Sequence, residues 1–496
     1  MRLDKRLELR TSNDDLSRWQ LTARAKGYRA VADWIRTALN REASLQSEDQ
    51  SGPPGPAYRK TTFENGVRIV TESIPGAESV AVGVFIDCGW RDEIPHQAGL
   101  AQLCQRMIFR GTSSRDASQI AREMEYTGGR IGGFTRRDYT CISALVPGDR
   151  RLHTLDLLGD LLLNSTFPPE QLEREKLWIA QQAAGNLDQP AFHCAEKMKS
   201  EAWGGNSISR LSGPAPLILD LTREDAIYFL ETHYSPNRII IAASGDLEHE
   251  DFTAQTRDSF WRLIGESDAQ PFVKPGFCEG QSITALPAGQ AYFSLGFEAP
   301  DYAHSGRPAI ELLTSVLGGG ASSRLSRAID ATPGLVCEVS AAYEASREAG
   351  ILVVSGQTQP ASLVHAVNTV MEVVLSLGDW QQPVTEEELL LAKSRLRCLN
   401  RLDAQSPHAR MTRLGTQELY FGRHVSLEQS LSELEAVDIN ALRRLVSSEW
   451  RLALRRPRLA VIGPELEASS ETRLRHALRG GQDRESRVPE YAARIA

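Results

Sequence analysis

The sequence predicts an α+β fold made of two similar domains that follow a small N-terminal module. An internal repeat carries this prediction: the strand-like segment Val80–Gly89 has a counterpart at Ala291–Pro300, 211 positions later. The helical segment Gly99–Gly111 corresponds in the same way to Pro308–Gly320. Both copies end with a helix and then an apolar strand, so each repeat has the elements of one layered domain. The expected units are 1–43 (the small module), 44–58 (a flexible linker), 59–268 and 269–464 (two domains of mainly antiparallel sheet with helices) and 465–496 (a loosely ordered tail).

The first 43 residues predict a strand followed by two short helices. Leu7 and Leu9 alternate with Arg6, Glu8 and Arg10, which is the period of a strand. The arrangement resembles the ribbon-helix-helix fold of Arc-type repressors, which implies that two chains pair through this strand. Ten Lys/Arg stand against six Asp/Glu here. Two roles remain open: DNA binding through Arg6, Glu8 and Arg10, or dimerisation alone.

Composition narrows the class of protein. A hydrophobic fraction of 41% and a charged fraction of 24% are typical of a globular protein. The net charge of −8 gives no overall attraction to nucleic acid or anionic lipid. Seven scattered cysteines without C-x-x-C spacing favour a reducing cytoplasm over a disulfide framework. No apolar run has the length of a membrane span. We therefore expect a cytoplasmic protein.

The segment Gly99–Thr112 reads GLAQLCQRMIFRGT. It is preceded by GWRDE at Gly89–Glu93 and followed by GG-x-x-x-x-FT-x-x-x-YT at Gly128–Thr140. These motifs resemble the insulinase-type peptidases, the family of pitrilysin and the mitochondrial processing peptidase, and the resemblance spans nearly the whole chain after the linker. It implies subunits with two homologous α+β domains, in agreement with the internal repeat.

In that family the helix carries H-x-x-E-H, in which two histidines bind zinc and the glutamate activates water. This chain has Gln102, Gln105 and Arg106 at those positions, and Gln182 where the third zinc ligand belongs. Glu175, a supporting glutamate, is retained. Amides and guanidinium groups are poor zinc ligands. We expect no zinc and no peptidase activity in this chain, and we hypothesise that Arg106 pairs with Glu175, which would otherwise be buried without a partner.

This chain also differs from the family at the positions that contact substrate in relatives. Some family dimers use an arginine and a tyrosine from a zinc-free subunit, and Asp330 and Cys337 stand at those positions here. The family's substrate-binding edge strand reads Gly132-Gly133. The loop Gly318–Gly320 is retained, and two interpretations remain open: a tight turn that needs positive φ, or peptide binding.

The resemblance predicts a catalytically inactive subunit of a heterodimeric zinc peptidase that processes peptides. The zinc is expected in an active partner subunit and no cofactor in this chain. The alternative is a DNA-binding regulator whose peptidase-like body senses a peptide. A third hypothesis is a purely structural role, like that of the core subunits of the respiratory cytochrome bc complex.

Overall fold

The computed structural model describes residues 57–204, 215–265, 274, 276–378 and 382–483. They belong to one compact unit, Pro56–Ala496. The N-terminal module, with Arg6, Glu8 and Arg10, lies outside the described residues. Within the described residues, no helix is both long enough and apolar enough to cross a membrane.

The first domain contains one sheet of six strands: β1 (Ala57–Thr62), β2 (Arg68–Ser73), β3 (Ser79–Ile86), β4 (Arg130–Thr135), β5 (Thr140–Pro147) and β6 (Ile239–Gly245). Their order is β1-β2-β6-β3-β5-β4. β2 and β6 are parallel, and the other neighbours are antiparallel. All residues of β6 are buried, as expected of a central strand covered on both faces. β4 lies at one edge of the sheet.

The helices of the first domain are α1 (Leu100–Met107), α2 (Ala117–Tyr126), α3 (Arg151–Leu163), α4 (Pro169–Leu187), α5 (Pro190–Ala202), α6 (Ala215–Asp220), α7 (Arg223–His233) and α8 (His249–Phe260). Several begin at strong capping residues. The Asp116 side chain accepts from the Gln119 backbone N–H at the start of α2, and Thr222 does the same for Asp225 at the start of α7.

The second domain repeats this plan with the strands β7 (Gly280–Ala285), β8 (Ala291–Ala299), β9 (Cys337–Ala345), β10 (Gly350–Thr358) and β11 (Arg458–Gly463). Their order, β7-β11-β8-β10-β9, matches the order β2-β6-β3-β5-β4 of the first sheet. The last strand, β11, is again parallel to the first, β7. The predicted fold class of two similar α+β domains is therefore confirmed.

The second domain's helices are α9 (Arg307–Gly318), α10 (Arg324–Asp330), α11 (Leu363–Ser376), α12 (Glu386–Asp403), α13 (Pro407–Phe421), α14 (Leu427–Ala436), α15 (Ile439–Arg444), α16 (Arg451–Leu454) and α17 (Ala468–Asp483). The last of these corrects part of the expected loosely ordered tail (465–496): residues 468–483 form a helix, and residues 484–496 lie outside the described residues. Leu474 and Leu478 of α17 are buried in the second core, because their spacing of four places both on one helix face.

Each domain covers the other's sheet with one of its helices. Helix α13 of the second domain packs on the first sheet, where Met411 and Leu414 join the core around Phe85. Helix α5 of the first domain packs on the second sheet, where Met198 lies in a core with Ile351. Because each sheet obtains one of its covering layers from the other repeat, the two domains form a single packed body.

The exchange is symmetric down to individual side chains. A Cβ atom at Gly83 of β3 would overlap the Met411 sulfur, and one at Gly296 of β8 would overlap the Met198 sulfur. Gly83 and Gly296 are 213 positions apart, and so are Met198 and Met411. Glycine at these two strand positions therefore makes room for a methionine from the other domain.

The two domains also meet at a buried carboxylate. The side chain of Asp138, in the turn between β4 and β5, is 1% exposed. It accepts hydrogen bonds from Arg137 Nη1 at 2.6 Å, from the Tyr420 hydroxyl at 2.7 Å and from the Arg347 backbone N–H at 3.0 Å. Tyr420 and Arg347 belong to the second domain, so this carboxylate ties the two repeats together.

A second set of ion pairs surrounds this junction. Glu348, in the turn between β9 and β10, pairs with Arg91 at 2.8 Å and with Arg137 at 2.8 Å. Arg347 pairs with Asp87 at 3.0 Å. Arg91 belongs to the GWRDE motif, so one part of that motif joins the two domains.

Candidate functional site

The altered helix α1 is fixed at its N-terminus by a residue of the GWRDE motif. Gly99 precedes the helix with a φ of 98°, a conformation that favours glycine. The buried Glu93 carboxylate accepts from the backbone N–H of Gly99 and of Ala101, both at 2.9 Å. A carboxylate at this end neutralises unpaired N–H groups and the positive end of the helix dipole. The helix is therefore held in place although its metal-binding residues are absent.

The first two altered positions are amides in different surroundings. Gln105 is buried against the edge strand β4, where a Cβ atom at Gly133 would lie only 2.5 Å from its Nε2. Gln102 is half-buried, and within the described residues its Oε1 atom is buried without a hydrogen-bond partner. Gln182 is exposed on α4, and its side chain makes no hydrogen bond or ion pair within the described part of the chain. Because residue 133 is a glycine, the Gln105 side chain can approach the strand β4 closely.

The third altered position, Arg106, contacts the retained glutamate. Arg106 Nε donates to Glu175 Oε2, so the hypothesised pair is present. Arg110, one turn further on, donates from its Nε to Glu175 Oε1 at 2.5 Å. The Arg106 guanidinium also lies over the Trp178 ring, 3.4 Å from its centroid. Glu175 is 6% exposed, and one carboxylate thus holds two guanidinium groups.

Sequence reasoning missed Arg110 and Trp178. Their spacing is a signal that could have found them. Arg110 lies four positions after Arg106, in the turn that follows α1, and Trp178 lies three positions after Glu175 on the same face of α4.

These residues do not fit a zinc ion. Neutral amides bind it weakly, and the guanidinium groups place positive charge beside the only carboxylate of the cluster. Among the described residues, one other group has the composition of a metal site: Cys88, Asp92 and His233. Arg238 donates to Asp92 Oδ1 at 2.7 Å and to His233 Nδ1 at 2.9 Å, and burial raises the pKa of Cys88 well above its ordinary value. A guanidinium therefore already occupies two of the three ligand side chains.

A cleft of about 630 Å³ opens beside the altered helix. Its walls are α1 with the following turn, α2, and the edge strand β4 with Gly132 and Gly133. The space beside Gly132 is open, because a Cβ atom added there would meet nothing within 4 Å. Since β4 pairs only with β5, backbone groups on its outer edge are open to a further strand. An extended peptide binds to an edge of this kind by adding a strand to the sheet.

The predicted positions of the second domain lie away from this cleft. Asp330 is exposed at the end of α10, and Cys337 is half-buried at the start of the edge strand β9. The interpretation of Gly318–Gly320 as a turn that needs positive φ is wrong, because none of the three glycines has it. Gly318 is required for a different reason: a Cβ atom there would lie 2.6 Å from the backbone nitrogen of Ala341.

Comparison with known proteins agrees with this architecture. Residues 68–214 match the insulinase family (peptidase family M16), and residues 220–396 match the peptidase M16 inactive domain. An uncharacterized zinc protease of Mycobacterium tuberculosis strain H37Rv is 31% identical over 417 residues, which cover 82% of this chain and 93% of that protein. The chain belongs to the insulinase family.

Two further relatives extend the comparison of this insulinase-family chain. A probable mitochondrial-processing peptidase subunit beta of Arabidopsis thaliana is 27% identical over 415 residues, covering 79% of this chain and 76% of that protein. The crystal structure of a peptidase M16 inactive domain from Pseudomonas fluorescens superposes with a TM-score of 0.77 at 19% identity, covering 83% of this chain and 98% of that one. The latter likeness concerns the fold.

Proposed function

We propose that this chain is a non-catalytic subunit of a heterodimeric zinc peptidase, in which it holds the peptide while a zinc-bearing relative cleaves it. One observation carries the proposal. The family's metal-binding helix is kept and capped, but Gln102, Gln105 and Arg106 replace its functional side chains, and Arg106 is bonded to the retained Glu175. A zinc ion and its activated water have no suitable ligands at this position.

The retained cleft supports a peptide-holding role. Here the strand β4 remains at the sheet edge, and the space beside Gly132 is open, because a Cβ atom there would meet nothing within 4 Å. Binding by an added strand gives affinity through main-chain hydrogen bonds and needs no metal.

The proposed partner is an insulinase-family chain that carries H-x-x-E-H. The Arabidopsis relative is itself named as a subunit of a processing peptidase, which supports an assembly of two related chains. We also propose that the complex is cytoplasmic. We further propose that residues 1–43 pair two chains, either as their only role or together with DNA binding.

Reconstitution tests this proposal. The chain is coexpressed with an H-x-x-E-H relative from the same organism, and the two are purified through a tag on this chain only. We expect a complex that cleaves a quenched fluorescent peptide faster than either chain alone. Replacement of both histidines in the relative should abolish cleavage while the complex still forms. A stable assembly of this chain alone that ignores such relatives would contradict the proposal.

A further inference from the structure

We infer that Arg106 and Arg110 form a clamp for a carboxylate group of an extended peptide lying in the cleft beside β4. The inference rests on the proposed function, because it names the class of peptide that the altered site holds. It assigns the two arginines a binding role in addition to their contact with Glu175.

The first argument is that the two guanidinium groups keep donors available. Each has one Nε–H and four N–H bonds on its Nη atoms. Within the described residues, Arg106 and Arg110 use only Nε toward Glu175, and their Nη atoms donate to no protein group. Both side chains line the cleft, with exposed fractions of 21% and 37%. Their free donors are therefore open to a ligand.

The second domain provides a contrast. Glu388 stands 213 positions after Glu175 and is likewise bonded to two arginines, Arg324 and Arg327. There Arg324 donates from Nε and Nη2 to Glu388 and from Nη1 and Nη2 to the backbone oxygens of residues 382 and 383. All three of its nitrogens donate inside the protein. Arg327 donates to Glu388 only from Nη2, so the contrast lies in Arg324. In the first domain both arginines keep their Nη donors free within the described part of the chain, whereas in the second domain one of the two has all its nitrogens occupied.

The charge balance points to an anion. Two guanidinium groups against the single carboxylate of Glu175 leave one positive charge uncompensated at the helix. Arg130 and Glu125, which also line the cleft, offset each other. A second carboxylate would complete the balance, and planar guanidinium groups match carboxylate geometry well. The stacking of Arg106 on Trp178 and the bond to Glu175 fix its orientation, so binding costs little side-chain entropy.

The carboxylate has two possible sources, an acidic side chain or the C-terminus of the peptide. Both present the same group to the clamp, and the edge strand β4 accepts the adjoining backbone in either case. Four fluorescein-labelled ten-residue peptides distinguish them: a Ser/Thr/Ala sequence with one central Glu or Gln, each with a free or an amidated C-terminus. Binding to the full chain is measured by fluorescence anisotropy at low salt.

We expect the Gln peptide with an amidated end to bind about ten- to a hundredfold more weakly than the best carboxylate-bearing peptide, as for loss of a hydrogen-bonded charge. A preference that follows Glu identifies an acidic side chain, and one that follows the free end identifies the C-terminus. The preference should shrink as salt is raised.

Variants assign the effect to the clamp. Arg106→Lys keeps a cation for Glu175 but removes the planar donors, and Arg110→Gln changes a half-exposed side chain, so both should fold. Each should remove most of the preference, whereas Arg122→Gln, an exposed arginine on α2 outside the cleft, should leave it intact. Quenching of Trp178 fluorescence on binding, lost in Trp178→Phe, provides a second readout.

Equal binding of all four peptides would overturn the inference and leave the proposed peptide-holding function standing. Binding of none, measured on the chain and on the reconstituted complex, would overturn both. A preference that survives both Arg106→Lys and Arg110→Gln would place the carboxylate elsewhere and also overturn the inference.

Discussion

The exchange of helices between the two domains predicts a large effect for a small substitution, Gly415→Ala. Gly415 lies in α13 of the second domain, and a Cβ atom there would lie 2.5 Å from Cζ of Phe85 and overlap two further carbons of that ring. Phe85 is fully buried in the first sheet. Overpacking costs about 1–3 kcal/mol, and the three ring contacts favour the upper end. The gain in helix propensity of about 0.5–1 kcal/mol offsets part of it, so we expect a net loss of about 2 kcal/mol.

Gly185→Ala is the matched control. Gly185 lies in helix α4, and a Cβ atom there would meet nothing within 4 Å. The same substitution should therefore be neutral or stabilising by up to about 1 kcal/mol. Urea unfolding of both variants, followed by tryptophan fluorescence and by far-UV circular dichroism, compares their midpoints with that of the parent chain. Equal midpoints for Gly415→Ala and Gly185→Ala would refute the packing of α13 on the first sheet.

Three further predictions concern charged side chains. Asp138→Ala should lower the free energy of unfolding by about 1–3 kcal/mol, since it leaves the Tyr420 hydroxyl and the Arg347 backbone N–H without their acceptor; an unchanged urea midpoint would contradict the junction described above. Burial raises the pKa of Glu388, but hydrogen bonds from Arg324 and other donors outweigh it and lower the pKa to about 2. Its contribution is complete above the ordinary value of 4.5 and disappears as pH falls toward 2, so Glu388→Gln should flatten the pH dependence of stability in that window. Arg106→Met should cost about 1–3 kcal/mol by leaving an oxygen of Glu175 unsatisfied, and a calorimetric Tm equal to that of the parent would contradict the pairing.

The sequence was sufficient for those features that depend on local periodicity. The repeat between Val80–Gly89 and Ala291–Pro300 became two sheets of matching order, because apolar strand segments and capped helices recur along the chain. The pairing of Arg106 with Glu175 also followed from local reasoning, since a buried carboxylate requires a partner.

The features that the sequence left undetermined depend on contacts across hundreds of residues. The sequence of α13 does not say which sheet the helix covers, and the packed fold shows that Met411 enters the first domain. The match of Gly83 with Met411 and of Gly296 with Met198 is recognisable only after the exchange is known. Helix α17 was missed because its segment is mostly charged. Its apolar contacts with the second core come mainly from Leu474 and Leu478.

Zinc content measured chain by chain tests the central claim most directly. The reconstituted complex is separated into its two subunits under native conditions, and each is analysed by elemental mass spectrometry and assayed for peptide cleavage. We predict zinc in the H-x-x-E-H subunit and none in this chain, which should not cleave peptides alone. One zinc ion per molecule of this chain, together with peptide cleavage by the isolated chain, would contradict the account.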